Sequence, residues 1–151
     1  MRINLLCIGK TDDKKITELI SYYIARLPKH WNFEMIEIPD AKNARNLSSD
    51  LLKKEEAKLF FNHIENTDLV ILLDEKGKEF TSREFAQKLN YYQNNSIKKV
   101  CFLIGGAYGF SDEMYNRATE KLSLSKMTFT HQMIRLFFVE QIYRADQILQ
   151  G

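Results

Sequence analysis

Short apolar segments alternate with amphipathic helical segments along the whole chain, and this alternation restricts the fold more than any other feature of the sequence. The apolar segments are too short for helices, whereas the segments between them carry apolar residues at helical spacing. The predicted strands are residues 3–8, 33–38, 68–73, 100–104 and 122–124. Strands that alternate with helices form a mostly parallel sheet with helices on both faces. We therefore predict an α/β fold in a single domain, residues 1–151.

Residues with known capping preferences mark where several helices begin. Ser48 or Ser49 can cap the second helix, Thr81 and Glu84 form a capping box, and Ser111 can cap a short helix. Pro28 follows the end of the first apolar helical stripe. The predicted helices are residues 16–27, 48–64, 81–92, a short segment after 111, and 131–149.

The last predicted helix is apolar around most of its circumference. Such a helix must be buried on nearly all sides, and one face of a small sheet does not provide that much cover. We therefore predict a partner subunit, most simply in a twofold homodimer. Within this helix Arg135 interrupts an apolar stretch, so we expect it to meet a carboxylate or a phosphate.

Composition restricts where the protein works and what it binds. The 22 basic and 20 acidic residues give a net charge of +2, which is low for a protein that lives on bare duplex nucleic acid. The longest apolar runs have five residues, whereas a membrane span needs about 18. The N-terminus has no signal-peptide pattern, and both cysteines, Cys7 and Cys101, lie in apolar runs. We expect a cytoplasmic protein that contacts no membrane.

Half of the six glycines lie in one segment after the fourth predicted strand. Gly105, Gly106 and Gly109 fall where ligands bind in parallel sheets, outside the C-terminal ends of the strands. A tight turn needs one or two glycines, so three favour a ligand loop. The spacing fits neither a P-loop nor a dinucleotide fingerprint. The histidines and cysteines have no metal-ligand spacing, so we expect no metal site.

The sequence resembles the bacterial RlmH family, small SPOUT-class methyltransferases that modify N3 of a pseudouridine in helix 69 of 23S ribosomal RNA. The matching segments cover the chain and are specific in combination: Ile36-Glu37-Ile38-Pro39, Leu72-Leu73-Asp74 with Gly77-Lys78, Phe102-Leu103-Ile104-Gly105-Gly106 through Gly109, 124–129 with His131-Gln132-Met133 and Arg135, and Glu140-Gln141 followed by Tyr143-Arg144-Ala145.

The resemblance implies a SPOUT-like parallel sheet with a C-terminal trefoil knot, a homodimer, and ribosomal RNA in the ribosome as the partner. It also implies that S-adenosylmethionine binds in a bent shape to the knot loops. The cofactor-binding positions carried over from the family are Leu73, Gly105, Leu124, Ser125, Lys126, Met127, Thr128 and Phe129.

Methyl transfer to an imide nitrogen sets the requirements for the acceptor side of the site. The N–H group must lose its proton, so a positioned base, or cations that stabilise the imide anion, would help. Our candidates near the acceptor are His131, Arg135 and Arg144. His131 can equally be the residue that anchors the start of the last helix.

The sequence departs from the family pattern at two places. Thr130 stands where the family usually has proline before the histidine, which implies a less rigid loop. Family members usually continue past the last helix with a tail that contains Tyr-His and a basic residue, whereas this chain stops at Gly151. If the tail is required for RNA binding or base activation, we expect cofactor binding with weak methylation.

Two other functions remain open from the sequence. The chain could be a SPOUT methyltransferase that acts on another RNA, such as transfer RNA, although it lacks an appended RNA-binding domain. It could also be a non-catalytic dimer that binds the ribosome with the same fold. The glycine segment argues against this non-catalytic function, because a binding protein needs no cofactor crevice.

Overall fold

In a computed structural model that describes residues 1–151, five strands form one parallel sheet in the order β2-β1-β4-β3-β5. Every pair of neighbouring strands is parallel. The strands are β1 (Arg2–Ile8), β2 (Glu34–Ile38), β3 (Leu69–Glu79), β4 (Lys99–Ile104) and β5 (Glu120–Ser123). The helices are α1 (Lys14–Ile24), α2 (Ser49–Phe61), α3 (Ser82–Asn94), α4 (Asp112–Arg117) and α5 (His131–Gln150). The predicted α/β class and element order are confirmed.

Successive residues of the central strands enter two separate apolar clusters, one on each face of the sheet. In β4, Phe102 belongs to the cluster that contains α1, α3 and α5, whereas Leu103 belongs to the cluster with α2 and α4. Both side chains are fully buried. Because side chains alternate between the faces of a strand, helices on both faces explain why these strands are apolar throughout.

Side-chain caps fix the start of every helix. Of the two candidates for the second helix, Ser48 is the cap, and the predicted cap Ser111 and the predicted Thr81–Glu84 capping box are both present. The first helix begins earlier than its apolar stripe, because Asp13 accepts hydrogen bonds from the backbone of Lys15 and Ile16. This helix ends at Ile24 and the second at Phe61, so the sequence placed both ends three residues too late.

The third strand continues past the point where the sequence predicts its end. The apolar pattern stops at Leu73, before Asp74 and Glu75, but the strand runs to Glu79. Its register against β5 shifts between Leu73 and Lys78, both of which pair with Leu122. The residues between them therefore bulge out of the ladder, and the carboxyl groups of Asp74 and Glu75 lie on this bulge.

The last helix packs on one face of the sheet, in the same cluster as α1 and α3. The sheet does not cover this helix on all sides in the single chain, as expected from the sequence, because Phe137 is 39% exposed and Leu149 is 38% exposed. Arg144 is also exposed.

None of the helices combines the length and apolar character needed to cross a bilayer.

Candidate active site

A cavity of about 590 Å³ opens beyond the C-terminal ends of β3, β4 and β5. Three loops and the first turns of α5 line it, and its lining is about half apolar. Of the predicted cofactor positions, all but one line this cavity: Leu73, Gly105, Leu124, Ser125, Met127, Thr128 and Phe129. Lys126 is the exception. Its side chain is exposed, and its ammonium lies 3.9 Å from the carboxylate of Glu79. The volume is within the range that holds small ligands and cofactors.

The glycine segment forms a tight turn at the wall of the cavity. The backbone N–H of Gly109 donates to the carbonyl of Gly106 at 3.1 Å, and Gly109 has a φ of +80°. A Cβ atom on Gly105 would lie 3.1 Å from the carbonyl oxygen of Gly109 and 3.3 Å from the ring of Phe110. Glycine at position 105 therefore lets the chain fold back on itself and leaves backbone, rather than side chain, facing a ligand.

A tyrosine and a carboxylate meet in another part of the cavity lining. The phenol of Tyr115, in α4, donates a hydrogen bond to the carboxylate of Asp74. The other oxygen of Asp74 accepts the backbone N–H of Lys76 at 2.9 Å. Burial raises the pKa of Tyr115, and its bond to Asp74 raises it further. The phenol thus stays protonated at neutral pH and holds the bulge of β3 against α4.

The segment between β5 and α5 forms the rim of the cavity and is held mainly by its own polar groups. Ser123 donates to the carbonyl of Ser125 at 2.9 Å, and the Ser125 hydroxyl accepts the N–H of Met127 at 3.0 Å. Met127 is 77% exposed, and the ring centroid of Phe129 lies 4.8 Å from that of Phe137. An exposed methionine and phenylalanine beside a cavity give this rim apolar surface for a ligand or a partner.

The three candidate residues for the acceptor side do not come together in one chain. His131, the first residue of α5, lines the cavity. Arg144 is exposed, and its guanidinium lies 3.4 Å from the carboxylate of Glu140 on the same helix. Thirteen residues separate the two, which corresponds to about 20 Å along the helix axis at roughly 1.5 Å per residue.

Arg135 is buried away from the cavity, with its side chain 1% exposed. It donates to the carbonyls of Ile8 and Gly9 at 2.8 and 2.9 Å, and to the hydroxyl of Thr11 at 2.9 Å. The sequence predicted a carboxylate or a phosphate as its partner, and the carboxylate of Glu37 lies at 3.3 Å. These contacts hold α5 against the C-terminal end of β1 and leave the guanidinium facing no part of the cavity.

Comparisons with known proteins match the whole chain. A family model described as "Predicted SPOUT methyltransferase" matches residues 1–151. The Ribosomal RNA large subunit methyltransferase H of Cytophaga hutchinsonii is 53% identical over 151 residues, which are 100% of this chain and 97% of that protein. The proteins of the same name from Christiangramia forsetii and Parabacteroides distasonis are 49% and 50% identical, over 100% of this chain and 96% of each of theirs.

A solved structure supports the fold alone. It is described as a probable methylase family protein from Haemophilus influenzae Rd KW20, with a TM-score of 0.58 at 12% identity. The match covers 98% of this chain and 66% of that protein.

The matched family model places the chain in the SPOUT class. Within that class it belongs to the RlmH family, the Ribosomal RNA large subunit methyltransferase H proteins. The family resemblance seen in the sequence is thereby confirmed.

Proposed function

We propose that the protein is an S-adenosylmethionine-dependent methyltransferase of large-subunit ribosomal RNA, and that it methylates N3 of a pseudouridine in helix 69 of 23S RNA in the assembled ribosome. The observation that carries the proposal is the cavity at the ends of β3, β4 and β5, which is lined by all but one of the cofactor positions that the family resemblance implies. The names of the curated relatives support ribosomal RNA as the substrate.

The lining of the cavity fits a sulfonium nucleoside. Leu73, Gly105 and residues 124–129 would hold the cofactor, with Lys126 at the outer edge. Half of the lining is apolar, and the carboxylates of Asp74 and Glu75 are nearby. Acidic and apolar groups suit a cation whose charge disperses as the methyl leaves. When bound, S-adenosylmethionine supplies an electrophilic methyl group, and the walls exclude water and orient it.

The acceptor side requires groups that handle the imide proton. His131 lies at the cavity and can accept a proton or donate a hydrogen bond. Arg144 is a permanent cation that can stabilise the imide anion or bind a phosphate. We assign Arg135 a positioning role, because its guanidinium is occupied by Ile8, Gly9 and Thr11.

We propose that the active form is a homodimer. The support is the partial exposure of two large apolar side chains of α5, Phe137 and Leu149, together with the separation of His131 from Arg144 in one chain. A twofold partner can cover exposed apolar side chains of α5 and bring Arg144 of one chain to the cavity of the other. The trefoil knot through the loops around the cavity, and a cytoplasmic location, stay predictions that follow from the family resemblance.

Methyl transfer from radiolabelled S-adenosylmethionine tests the function directly. The acceptors to compare are whole ribosomes that lack the helix 69 methyl group, separated subunits, naked 23S RNA and transfer RNA. We expect transfer to whole ribosomes, with the label in a helix 69 fragment, and loss of transfer when that pseudouridine is replaced by uridine. Methyl transfer to transfer RNA alone would support the alternative that the protein is a SPOUT methyltransferase of another RNA. Cofactor-independent ribosome binding without transfer would support a non-catalytic dimer.

A further inference from the structure

The bulge of β3 brings charged side chains to the cavity. The register of β3 against β5 shifts between Leu73 and Lys78, so residues 74–77 are looped out of the ladder. Three of these residues line the cavity: Asp74, Glu75 and Lys76. Apart from His131, every other lining residue is neutral at pH 7. The bulge therefore supplies the permanent charges of the cavity.

A glycine lets the bulge lie against the neighbouring strand. A Cβ atom on Gly77 would lie 2.6 Å from the carbonyl carbon of Lys121 and 2.7 Å from the backbone nitrogen of Leu122. Both atoms belong to the backbone of β5, which cannot turn aside as the end of a flexible side chain can. Any side chain at residue 77 would push the bulge away from β5, so the glycine fixes one end of the bulge.

A tyrosine from α4 holds the other end of the bulge. The hydroxyl of Tyr115 donates to one carboxylate oxygen of Asp74, and the backbone N–H of Lys76 donates to the other oxygen at 2.9 Å. The ring of Tyr115 packs against that of Phe110, with the ring centroids 6.1 Å apart. Two donors from different parts of the chain therefore set the orientation of the Asp74 carboxylate.

The carboxylate of Asp74 has hydrogen-bond donors but no cation. None of the ion pairs of the protein includes it. A carboxylate offers about four acceptor sites, and only Tyr115 and the Lys76 amide donate to this one. A carboxylate that lines a cavity, has a fixed orientation and keeps free acceptor sites is suited to a ligand cation with N–H donors.

We propose that Asp74 binds the α-ammonium group of S-adenosylmethionine, and that Tyr115 is the positioning residue that holds the carboxylate for this contact. This role rests on the proposed function, since it assumes that the cavity holds this cofactor. The cofactor has two cationic groups. The ammonium carries N–H donors, for which the orientation of a carboxylate matters, whereas the sulfonium carries none and requires only a nearby negative charge. Tyr115 acts through Asp74.

Calorimetry with three ligands tests this assignment without methyl transfer. S-adenosylmethionine carries the sulfonium and the ammonium, S-adenosylhomocysteine carries only the ammonium, and the deamino analogue of S-adenosylhomocysteine carries neither. We expect Asp74→Asn to raise the Kd of each of the first two ligands by about tenfold, because a charge-assisted hydrogen bond is lost. The deamino analogue should bind this variant at least as tightly as it binds wild type, because it has no cation for Asp74 to contact.

Tyr115→Phe removes only the hydroxyl and keeps the ring beside Phe110. It should raise the Kd of the two ammonium-bearing ligands by about fivefold and leave that of the deamino analogue unchanged. In the Asp74→Asn background the same substitution should add less than about a twofold change, because Tyr115 acts through the charge of Asp74. Tyr91→Phe is the matched control and should change no Kd, since it removes a hydroxyl from an exposed residue of α3 outside the cavity.

The possible results separate this role from the proposed function. Equal losses for all three ligands, in Asp74→Asn or in Tyr115→Phe, would indicate a general disturbance of the cavity and overturn the proposal. A loss confined to S-adenosylmethionine would place the carboxylate at the sulfonium and overturn it as well. If Asp74→Asn folds poorly, the comparison of ligands in Tyr115→Phe still decides. A wild-type protein that binds neither S-adenosylmethionine nor S-adenosylhomocysteine would instead overturn the proposed function, and this role with it.

Discussion

The guanidinium of Arg135 donates a 2.8 Å hydrogen bond to the backbone carbonyl of Ile8, which lies 127 residues earlier in the chain. This bond joins the first turns of the last helix to the end of the first strand. Gln132 adds to it by accepting the backbone N–H groups of Asp12 and Asp13, each at 3.0 Å. Because the same helix begins at His131, in the cavity wall, the attachment to β1 fixes one side of the site.

We predict that Arg135→Ala destabilises the protein by about 3 kcal/mol, because it removes the donor to the buried carbonyl of Ile8 and the half-buried carbonyl of Gly9 and leaves Glu37 without its cation. Urea unfolding followed by circular dichroism measures this directly. Arg144→Ala, on the same helix but exposed, should change the free energy of unfolding by less than about 1 kcal/mol. Equal losses in the two variants would show that the buried contacts of Arg135 contribute nothing particular.

The glycine turn gives a second prediction. Gly105→Val should abolish the increase in melting temperature that S-adenosylmethionine produces, because the new side chain would collide with Gly109 and Phe110. In wild type, cofactor at about a hundred times its Kd should stabilise the fold by roughly 2.7 kcal/mol. Ala25→Val adds similar bulk at the exposed end of α1 and should leave the cofactor effect intact. Normal cofactor binding by Gly105→Val would remove this turn from the site.

The glycine turn and the contacts of Arg135 differ in how far the sequence could predict them. The glycine turn follows from local information, since three glycines between a buried strand and a capped helix are typical of a loop that approaches a ligand closely. For Arg135, a cation inside an apolar stretch, the sequence predicted a carboxylate or a phosphate as partner, and Glu37 is a carboxylate. The carbonyl partners, Ile8 and Gly9, could not be predicted, because no local pattern indicates which distant backbone a buried guanidinium will reach. The sequence therefore placed Arg135 beside the acceptor, while its contacts lie elsewhere.

The contacts around the cavity that the sequence missed join residues that are far apart in the chain. Tyr115 reaches Asp74 across 41 residues, and Glu56 meets Gly106 from a helix on one face of the sheet. Each looks like an ordinary helix residue by spacing alone. The end of β3 was predicted wrongly for a similar reason, because the bulge after Leu73 is created by the register of β5. Capping, in contrast, depends on residues three positions apart, and Ser48, Thr81 and Ser111 were all predicted.

Both cysteines should be unreactive in the native protein. Burial raises the pKa of Cys7 to about 12 and that of Cys101 to about 12. Because the thiolate is the reactive form, neither should react with a disulfide reagent at pH 8 while the protein is folded. Both should react after denaturation, when the thiols regain their ordinary pKa of about 8.5. Rapid reaction of one thiol under native conditions would contradict the buried placement and indicate local opening of β1 or β4.

The buried carboxyl group of Glu56, in α2, should make the stability of the protein depend on pH. Burial raises the pKa of its carboxyl group in the folded state, so the folded protein binds this proton more tightly than the unfolded chain does. The stability due to this group is therefore fully present below the unfolded pKa of about 4.3 and is lost as the pH rises through the folded value. Glu56→Gln does not titrate. Its stability relative to wild type should increase from pH 4 upward and then level off, as urea unfolding across pH 4–8 would show. A difference that shrinks with rising pH would contradict the burial of the carboxylate.

The separation of His131 and Arg144 along one helix makes the dimer testable through activity. Each single variant, His131→Ala or Arg144→Ala, should bind S-adenosylmethionine normally and transfer little methyl to ribosomes, because each lacks one group of the acceptor side. If the two groups meet only across a twofold interface, a mixed dimer keeps one complete pair out of two. Random mixing makes about half of the dimers mixed, so the combined variants should recover about a quarter of the wild-type rate. The mixture should regain activity only after the two variants are denatured and refolded together, or after slow exchange of subunits between their dimers. Absence of recovery in dimers shown to be mixed would mean that His131 and Arg144 do not act together across the interface.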